Sequence, residues 1–455
     1  MQILNKINSF VWGMPTLLLI FLTGIILTLR TDFFAVKNFK RAIKLFFTGK
    51  KQTENTNRLT PLQSASTALS ATMGTGNIVG VAGAVALGGP GAVFWMWASA
   101  FFCMSVKFAE IVLAVRYREQ NSDGSYLGGA MYYIKNALPS SFAPLAKIFC
   151  VFGVTAALGM GNMTQINTVS ASVCTLFKTL GVVSPSAVFF IKLATGTICA
   201  AVCFFVLKND GSVGRFCEKI FPVMTVLYIT LTVGVIAVNR SEIPTAFKNI
   251  FICAFKPYSV TGGAVGSAFV AVRFGVSRGV FSNEAGLGTA PIAYACSDGD
   301  EISLGLMGVI EVFTDTVVVC TLTALALLCA GDITYGVDSA SALTLNMLNK
   351  VYGKYVIFIF CPIICFFAFS SAVGWGLYGQ KFTVFLFGEN SKNVFLALFI
   401  ALIIPSALFR ADAVWVIAEI LNGLMALPNI TALLFLSGEV NNTARCRKKL
   451  KKQTI

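Results

Sequence analysis

The sequence predicts an all-α polytopic membrane protein, and three observations predict it. Of 455 residues, 56% are hydrophobic and only 12% charged, with a mean hydropathy of +0.77; soluble domains carry about 25% charged residues. Apolar runs long enough to span a bilayer recur about eleven times. Within them glycines gather where a lipid-facing helix would place side chains, most densely at Ala71-Thr-Met-Gly-Thr-Gly-Asn-Ile-Val-Gly80.

Taken in order, residues 11–29 form a first span with no small-residue cleavage site, so they read as an anchor rather than a removed signal. Residues 30–58 mix Lys37, Lys40, Arg41, Lys44, Lys50 and Lys51 with Phe33, Phe34, Phe39, Phe46 and Phe47. This pattern suits a basic amphipathic helix on the membrane surface, with a disordered linker as the alternative over residues 49–57. Residues 64–87 follow as a span interrupted by Gly74, Gly76 and Asn77. Glycine in a helix interior costs about 1 kcal/mol relative to Ala, and irregular backbone at membrane depth survives only against protein or a cavity. The stretch therefore reads as a broken helix, the device with which many secondary transporters hold substrate and cation. Gly76-xxx-Gly80 also fits a close helix–helix seam, but a seam has no use for the Asn77 amide.

Gly88-Gly-Pro-Gly91 turns the chain into a span over residues 92–115, which carries Lys107 and Glu110 one turn apart and is read as an intrahelical ion pair of structural or gating character. Residues 147–176 carry Asn162, Gln165 and Asn167, too many amides for a lipid-facing helix, so some must face an internal cavity. Spans over 187–207 and 216–238 follow, then an interfacial helix over 243–258. Thr261-Gly-Gly-Ala-Val-Gly-Ser267 repeats the Gly-rich theme and opens a seventh span, which ends near Arg278–Gly288. The eighth, 303–330, carries Glu311 and Asp315, read either as a proton relay or as partnered polar residues. Residues 332–354 read as a polar loop, 355–377 as the ninth span, 394–409 and 414–436 as the last two, and 445–452 as a basic tail.

Placing residues 30–58 inside makes the loops alternate and puts most of the 35 Lys and Arg inside. The N-terminus then lies outside and the C-terminus in the cytoplasm. Without the first span, ten remain, and a Gly-broken segment opens each set of five. Five is odd, so the sets have opposite orientations, a 5+5 inverted repeat with one extra N-terminal helix. The expected divisions are 1–60, 61–240, 241–440 and 441–455.

Composition also excludes. The net charge of +15 follows cytoplasmic loops, so no nucleic-acid partner is expected. No His occurs, which removes His-based metal sites, catalysis and proton relays, and the 13 Cys lie scattered in apolar segments with no CxxC pair. A membrane-embedded enzyme would need a nucleophile–base pair or metal ligands, so no enzyme is expected. Gly74-x-Gly76 lacks the preceding strand and the spacing of a dinucleotide loop. A channel wants a continuous pore lining, whereas broken helices bind and occlude. A zwitterion needs a half-helix N-terminus for its carboxylate and freed carbonyls for its ammonium. The segments read as binding-capable contain no side-chain acid.

Several runs closely resemble the alanine or glycine:cation symporter family, and the resemblance covers nearly the whole chain. They are Gly74-Thr-Gly-Asn77, Ala86-Leu-Gly-Gly-Pro-Gly-Ala-Val-Phe-Trp-Met-Trp97, Lys107-Phe-Ala-Glu110, Gly161-Asn-Met-Thr-Gln165 and Arg278-Gly-Val-Phe-Ser-Asn-Glu-Ala-Gly-Leu-Gly-Thr-Ala-Pro291. The resemblance implies a leucine-transporter-like fold and sodium-coupled uptake of alanine or glycine, with proton coupling as the alternative. It implies a monomer in the plasma membrane of a bacterium or archaeon, with Na⁺ as coupling ion and no other cofactor. By position it assigns Thr75, Gly76, Asn77, Gln165, Gly262, Gly263, Ala264, Ser371 and Trp375 to the substrate. Trp375 would limit side-chain size, although an interfacial aromatic belt is the other reading of that residue. Sodium would meet Ser70, Met73, Phe367, Ser370 and Ser371. Many members carry Thr where Ser371 stands and His where Tyr294 stands.

Overall fold

The computed structural model describes the chain except residues 1, 49–57, 122–123, 183, 257–266, 332, 337–339, 410–411 and 454–455. It is almost entirely helical; one short antiparallel strand pair joins Glu119–Gln120 to Tyr126–Leu127. Among the described residues eight helices are long and apolar enough to cross a membrane, or ten if two bent pairs each count as one span. The expected eleven also included the helix Ala268–Asn283, whose 16 residues fall short of that length.

The N-terminal segment is two helices, α1 (Gln2–Val11) and α2 (Met14–Arg30), hinged at Trp12-Gly13 where Pro15 opens the second. After α3 (Phe34–Lys37), α4 (Phe39–Thr48) carries the basic, Phe-rich pattern. Its Phe39 ring packs on Phe313 at 4.9 Å, so the helix is docked. The linker alternative concerned residues outside those described.

α5 (Pro61–Thr72) begins with a capping box. Thr60 Oγ1 accepts from Gln63 N–H at 3.1 Å, Gln63 Oε1 accepts from Thr60 N–H at 3.1 Å, and Pro61 sits where its missing N–H costs nothing. Its run of Ser, Ala and Thr is buried and admits close neighbours: α12 (Asp210–Val238) and α19 (Ile357–Phe387). The helix stops at Met73, a short 3₁₀ turn covers Thr75–Asn77, and α6 (Val79–Gly88) resumes at a bend of 56°. The expected first break is present.

α7 (Gly91–Arg116) is the most enclosed span. Gly91 lets it start against Cys253, whose carbonyl carbon would lie 2.3 Å from a Cβ there. After α8 (Ala130–Ala137), α9 (Ala143–Ala156) and α10 (Gln165–Thr179) are joined through a π-helical stretch, Ala157–Thr164. Such stretches frequently mark functional sites. α11 (Pro185–Val206), α12 and the interfacial α13 (Ile243–Cys253) follow.

The second half holds a break that the sequence reading did not expect. Gly262, Gly263 and Ala264 lie outside the described residues, and a break stands elsewhere. α14 (Ala268–Asn283) ends on Glu284, which has φ 52°; Gly286 and Gly288 take φ 90° and 76°, and α15 (Pro291–Ala295) resumes. Glycine adopts such angles freely, whereas a carboxylic side chain there is uncommon. α16 (Glu301–Val312) and α17 (Thr321–Ala330) flank a second π-helical stretch, Phe313–Cys320. The expected polar loop contains a helix, α18 (Ala340–Tyr352), whose Leu343, Met347 and Leu348 are buried. α19 continues to Phe387, ten residues beyond the expected end, and so places Trp375 in mid-helix. α20 (Ser391–Leu408), α21 (Asp412–Phe435) and α22 (Ser437–Gln453) complete the chain.

Candidate functional site

A small central cavity, about 20 Å³ and of the order of one water molecule, lies where the first break meets α10, α14 and α19. Gly74, Thr75 and Gly76 form one wall, Gln165 and Ser371 face them, and Phe281, Glu284 and Glu419 also line it. A Cβ on Gly74 would lie in van der Waals contact with Ser371 Oγ at 3.4 Å, so α19 packs directly on the first break. A larger cavity of about 220 Å³ lies beside it, against Asn8, Trp12, Arg273 and Arg278, and shares Phe281 and Glu419 with the first. Glu419 pairs with Arg278 at 3.3 Å and accepts from the Asn8 amide at 2.7 Å, while the Trp12 indole N–H donates to its backbone carbonyl at 2.9 Å. Trp12 meets the Phe281 ring edge-on at 6.0 Å. Phe281 and the Glu419–Arg278 pair thus stand where the cavities meet, braced by Asn8 of α1 and by Trp12 at the hinge.

The opposite end is strapped shut. Leu59 N–H donates to the Cys296 carbonyl and Asp298 N–H to the Leu59 carbonyl, both at 3.0 Å, so the chain entering α5 pairs with the chain leaving α15. Arg58 pairs with Asp298 at 2.9 Å, and Arg58 and Arg118 lie over the Tyr126 ring at 4.2 and 3.8 Å.

Asn77 does not face the central cavity. It is fully buried, and its amide donates to Asp315 Oδ1 at 2.7 Å and to Ser282 Oγ at 3.0 Å. Asp315 also accepts from Ser282 at 2.7 Å and from Thr316 at 2.9 Å. The first break is therefore anchored by an acid from the neighbouring span. The second break is anchored the same way: Glu110 Oε1 accepts from Gly286 and Gly288 N–H, each at 3.0 Å, and from the Asn429 amide at 2.5 Å. Two adjacent backbone donors make a ready anion cradle, and here a carboxylate of the protein fills it.

The expected Lys107–Glu110 pair within one helix is thus replaced. Lys107 Nζ reaches across to Glu311 Oε1 at 3.0 Å, both residues fully buried. Glu311 and Asp315 are partnered, the second of the two readings offered for them. Of the three amides expected near a cavity, only Gln165 reaches one. Asn162 donates to the Phe399 carbonyl at 2.5 Å, and Asn167 to those of Ser406 and Phe409 at 3.2 and 2.7 Å, fastening α10 and its π stretch to α20.

The family model of the sodium:alanine symporter family matches residues 1–454. The chain belongs to that family. It is 39% identical to the sodium/alanine symporter AgcS of Methanococcus maripaludis, over 99% of this chain and 98% of that one. It is 32% identical to the probable sodium/glutamine symporter GlnT of Bacillus subtilis, over 96% and 89%. The crystal structure of MhsT in complex with L-phenylalanine superimposes with a TM-score of 0.55 at 15% identity, covering 85% of this chain and 98% of that one. That likeness carries the fold, which is leucine-transporter-like, and nothing about cargo.

In this symporter, of the residues that the resemblance assigns to sodium, Ser371 lines the cavity. Ser70, Met73, Phe367 and Ser370 are buried, and Ser371 is 2% exposed. Ser371 Oγ donates to the Ala71 carbonyl at 2.8 Å and ties α19 to the end of α5. Ser370 Oγ donates to the Phe367 carbonyl at 3.1 Å. The hydroxyls of Ser70 and Thr67 are buried against the Cys217 thiol. Thr67 was missed, although its spacing of three from Ser70 on one helix face could have found it.

Trp375 is fully buried, which removes the aromatic-belt reading. It presses on Gly161, where an added Cβ would stand 2.3 Å from the Trp375 Cβ, and its ring meets Tyr378 at 5.9 Å. It backs the π stretch rather than lining the central cavity itself. Glu284 was also missed: the segments read as binding-capable held no acid, yet this one lines the cavity. Its signal was in the Ser282-Asn-Glu-Ala-Gly286 run, read only as the end of a span.

Proposed function

We propose that the protein carries alanine or glycine into a bacterial or archaeal cell together with Na⁺, across the plasma membrane, with its N-terminus outside. The observation that carries this reading is the central cavity. It is small, and the main chain of a broken helix, the Gln165 amide and the Ser371 hydroxyl line it together with Phe281, Glu284 and Glu419. Such a wall offers dipoles to both ends of a zwitterion and little room for a side chain. Thr75 and Gly76 would meet the substrate main chain, with Gln165 opposite and Ser371 between substrate and sodium.

Carbonyls of Ser70, Met73 and Phe367 with the hydroxyls of Ser370 and Ser371 form an oxygen-only set, which suits a hard cation. The named cargoes of the two relatives differ, so pocket size decides. The strapped end at Leu59–Cys296 and the larger cavity on the N-terminal side fit an arrangement closed to the cytoplasm, with Trp12 and Phe281 as its outer door.

The test is uptake of labelled alanine and glycine into proteoliposomes under an imposed sodium or proton gradient. Accumulation driven by sodium alone supports the reading. Accumulation driven only by protons replaces it with proton symport, and equilibration without accumulation would mean a passive route.

A further inference from the structure

Glu284 lines the central cavity and forms no salt bridge among the described residues; the basic group nearest in effect, Lys107, is itself paired with Glu311. It is 1% exposed, and its carboxylate accepts from the Thr289 hydroxyl at 2.5 Å. The other buried acids of the region are better supplied. Glu110 and Asp315 each accept from three groups, and Glu311 holds Lys107. Glu419, which also lines the cavity, is paired with Arg278. No Lys or Arg lines the cavity.

A second, independent observation points into the same space. Gln165 is 4% exposed, and its Oε1 has no hydrogen-bond donor among the described residues. That oxygen would lie 3.8 Å from a Cβ on Gly74, so it faces the cavity wall formed by the first break. A buried carboxylate held by one hydroxyl and a buried carbonyl oxygen with no donor thus line one cavity. An uncompensated carboxylate and an orphan acceptor are both costly in a low-dielectric interior. Their common remedy is a group that only donates or carries positive charge.

We propose that Glu284, with the Gln165 amide oxygen, forms the subsite for a compact monovalent cationic centre in the central cavity. That centre is either the ammonium group of the amino acid or the coupling cation. The inference rests on the symporter reading above. It also orients the cargo: a cation at Glu284 leaves the substrate carboxylate to the main-chain donors of Thr75 and Gly76.

The test uses the full-length protein in liposomes, with labelled alanine and labelled Na⁺ as probes. Glu284→Gln keeps size and the Thr289 contact while removing the charge. If the ammonium sits there, the half-saturating alanine concentration at saturating sodium rises tenfold or more, while Na⁺ binding without substrate is unchanged. If the coupling cation sits there, Na⁺ binding without substrate weakens tenfold or more, and high sodium restores alanine uptake. Both half-saturations within twofold of wild type would overturn the proposal. So would an equal effect from Thr289→Val, which keeps the charge and removes only its support. Should Glu284→Gln not yield folded protein, Gln165→Leu is read by the same two titrations and the same limits. Wild-type protein inactive with sodium, alanine and glycine would instead sink the symporter reading itself.

Discussion

Replacing Lys107 by Met isolates the cost of one unpaired charge in the membrane interior. Lys107 Nζ and Glu311 Oε1 are 3.0 Å apart, and both residues are fully buried. Removing one partner of such a pair costs about 3–5 kcal/mol, because the other charge is left desolvated and alone. The Tyr294 hydroxyl stands beside Glu311, but a neutral donor does not replace the lost positive charge. At roughly 2.1 cal/mol/K of unfolding entropy per residue, a 455-residue chain shifts by about 1 °C per kcal/mol. The unfolding midpoint of purified Lys107→Met should therefore fall by about 3–5 °C. Lys107→Met with Glu311→Leu should regain most of that loss, since an apolar replacement of a whole buried pair is often neutral. Lys107→Met with Glu110→Gln should not, because Glu110 is held by Gly286, Gly288 and Asn429. Thermal unfolding of the four proteins in one detergent measures all of this. Rescue by Glu110→Gln and not by Glu311→Leu would restore the intrahelical pair and refute the interhelical one.

Four further outcomes are expected. Asn77→Ala removes the amide that ties the first break to Asp315 and should abolish uptake at normal expression; near wild-type uptake would reject that anchoring role. Ser370→Ala and Ser371→Ala should each raise the sodium concentration for half-maximal uptake more than they raise that of alanine at saturating sodium, and unchanged sodium titrations in both would remove them as ligands. Trp375→Leu should let the Gly161 stretch relax and allow valine and leucine to compete with alanine, as a change in preference, since each methylene is worth about 1–3 kcal/mol; an identical competition profile would show that Trp375 does not set cargo size. Arg278→Gln should loosen the contact with Glu419 and speed labelling of a Thr75→Cys protein by an impermeant thiol reagent, with equal labelling rates arguing against a door at that place.

Much of the architecture lay open in the residues themselves. Hydrophobic length and sparse charge announce membrane helices, because hydrocarbon leaves the backbone few other ways to satisfy its polar groups. Gly74, Gly76 and Asn77 marked the first break because glycine and an amide are both wasted on a lipid-facing helix. The Gly-rich run at residues 261–267 lies largely outside the described residues, and the described part of this half has a break at Glu284–Thr289, where two glycines take left-handed angles. Glycine permits unwinding but does not require it; what unwinds this stretch is Glu110, which takes the backbone N–H groups of Gly286 and Gly288 away from any helix.

Partners of buried polar groups were the part only the folded chain could decide. Sequence spacing shows neighbours one turn apart on one helix, so Lys107 was matched to Glu110 and Trp375 to the end of a span. In the fold Lys107 meets Glu311, 204 positions away, and Asn77 meets Asp315, 238 away. Those distances along the chain carry no pattern of their own. Lipid offers no hydrogen bonds, so each buried donor takes whichever acceptor the packing of the helices brings close, and that packing exists only in three dimensions.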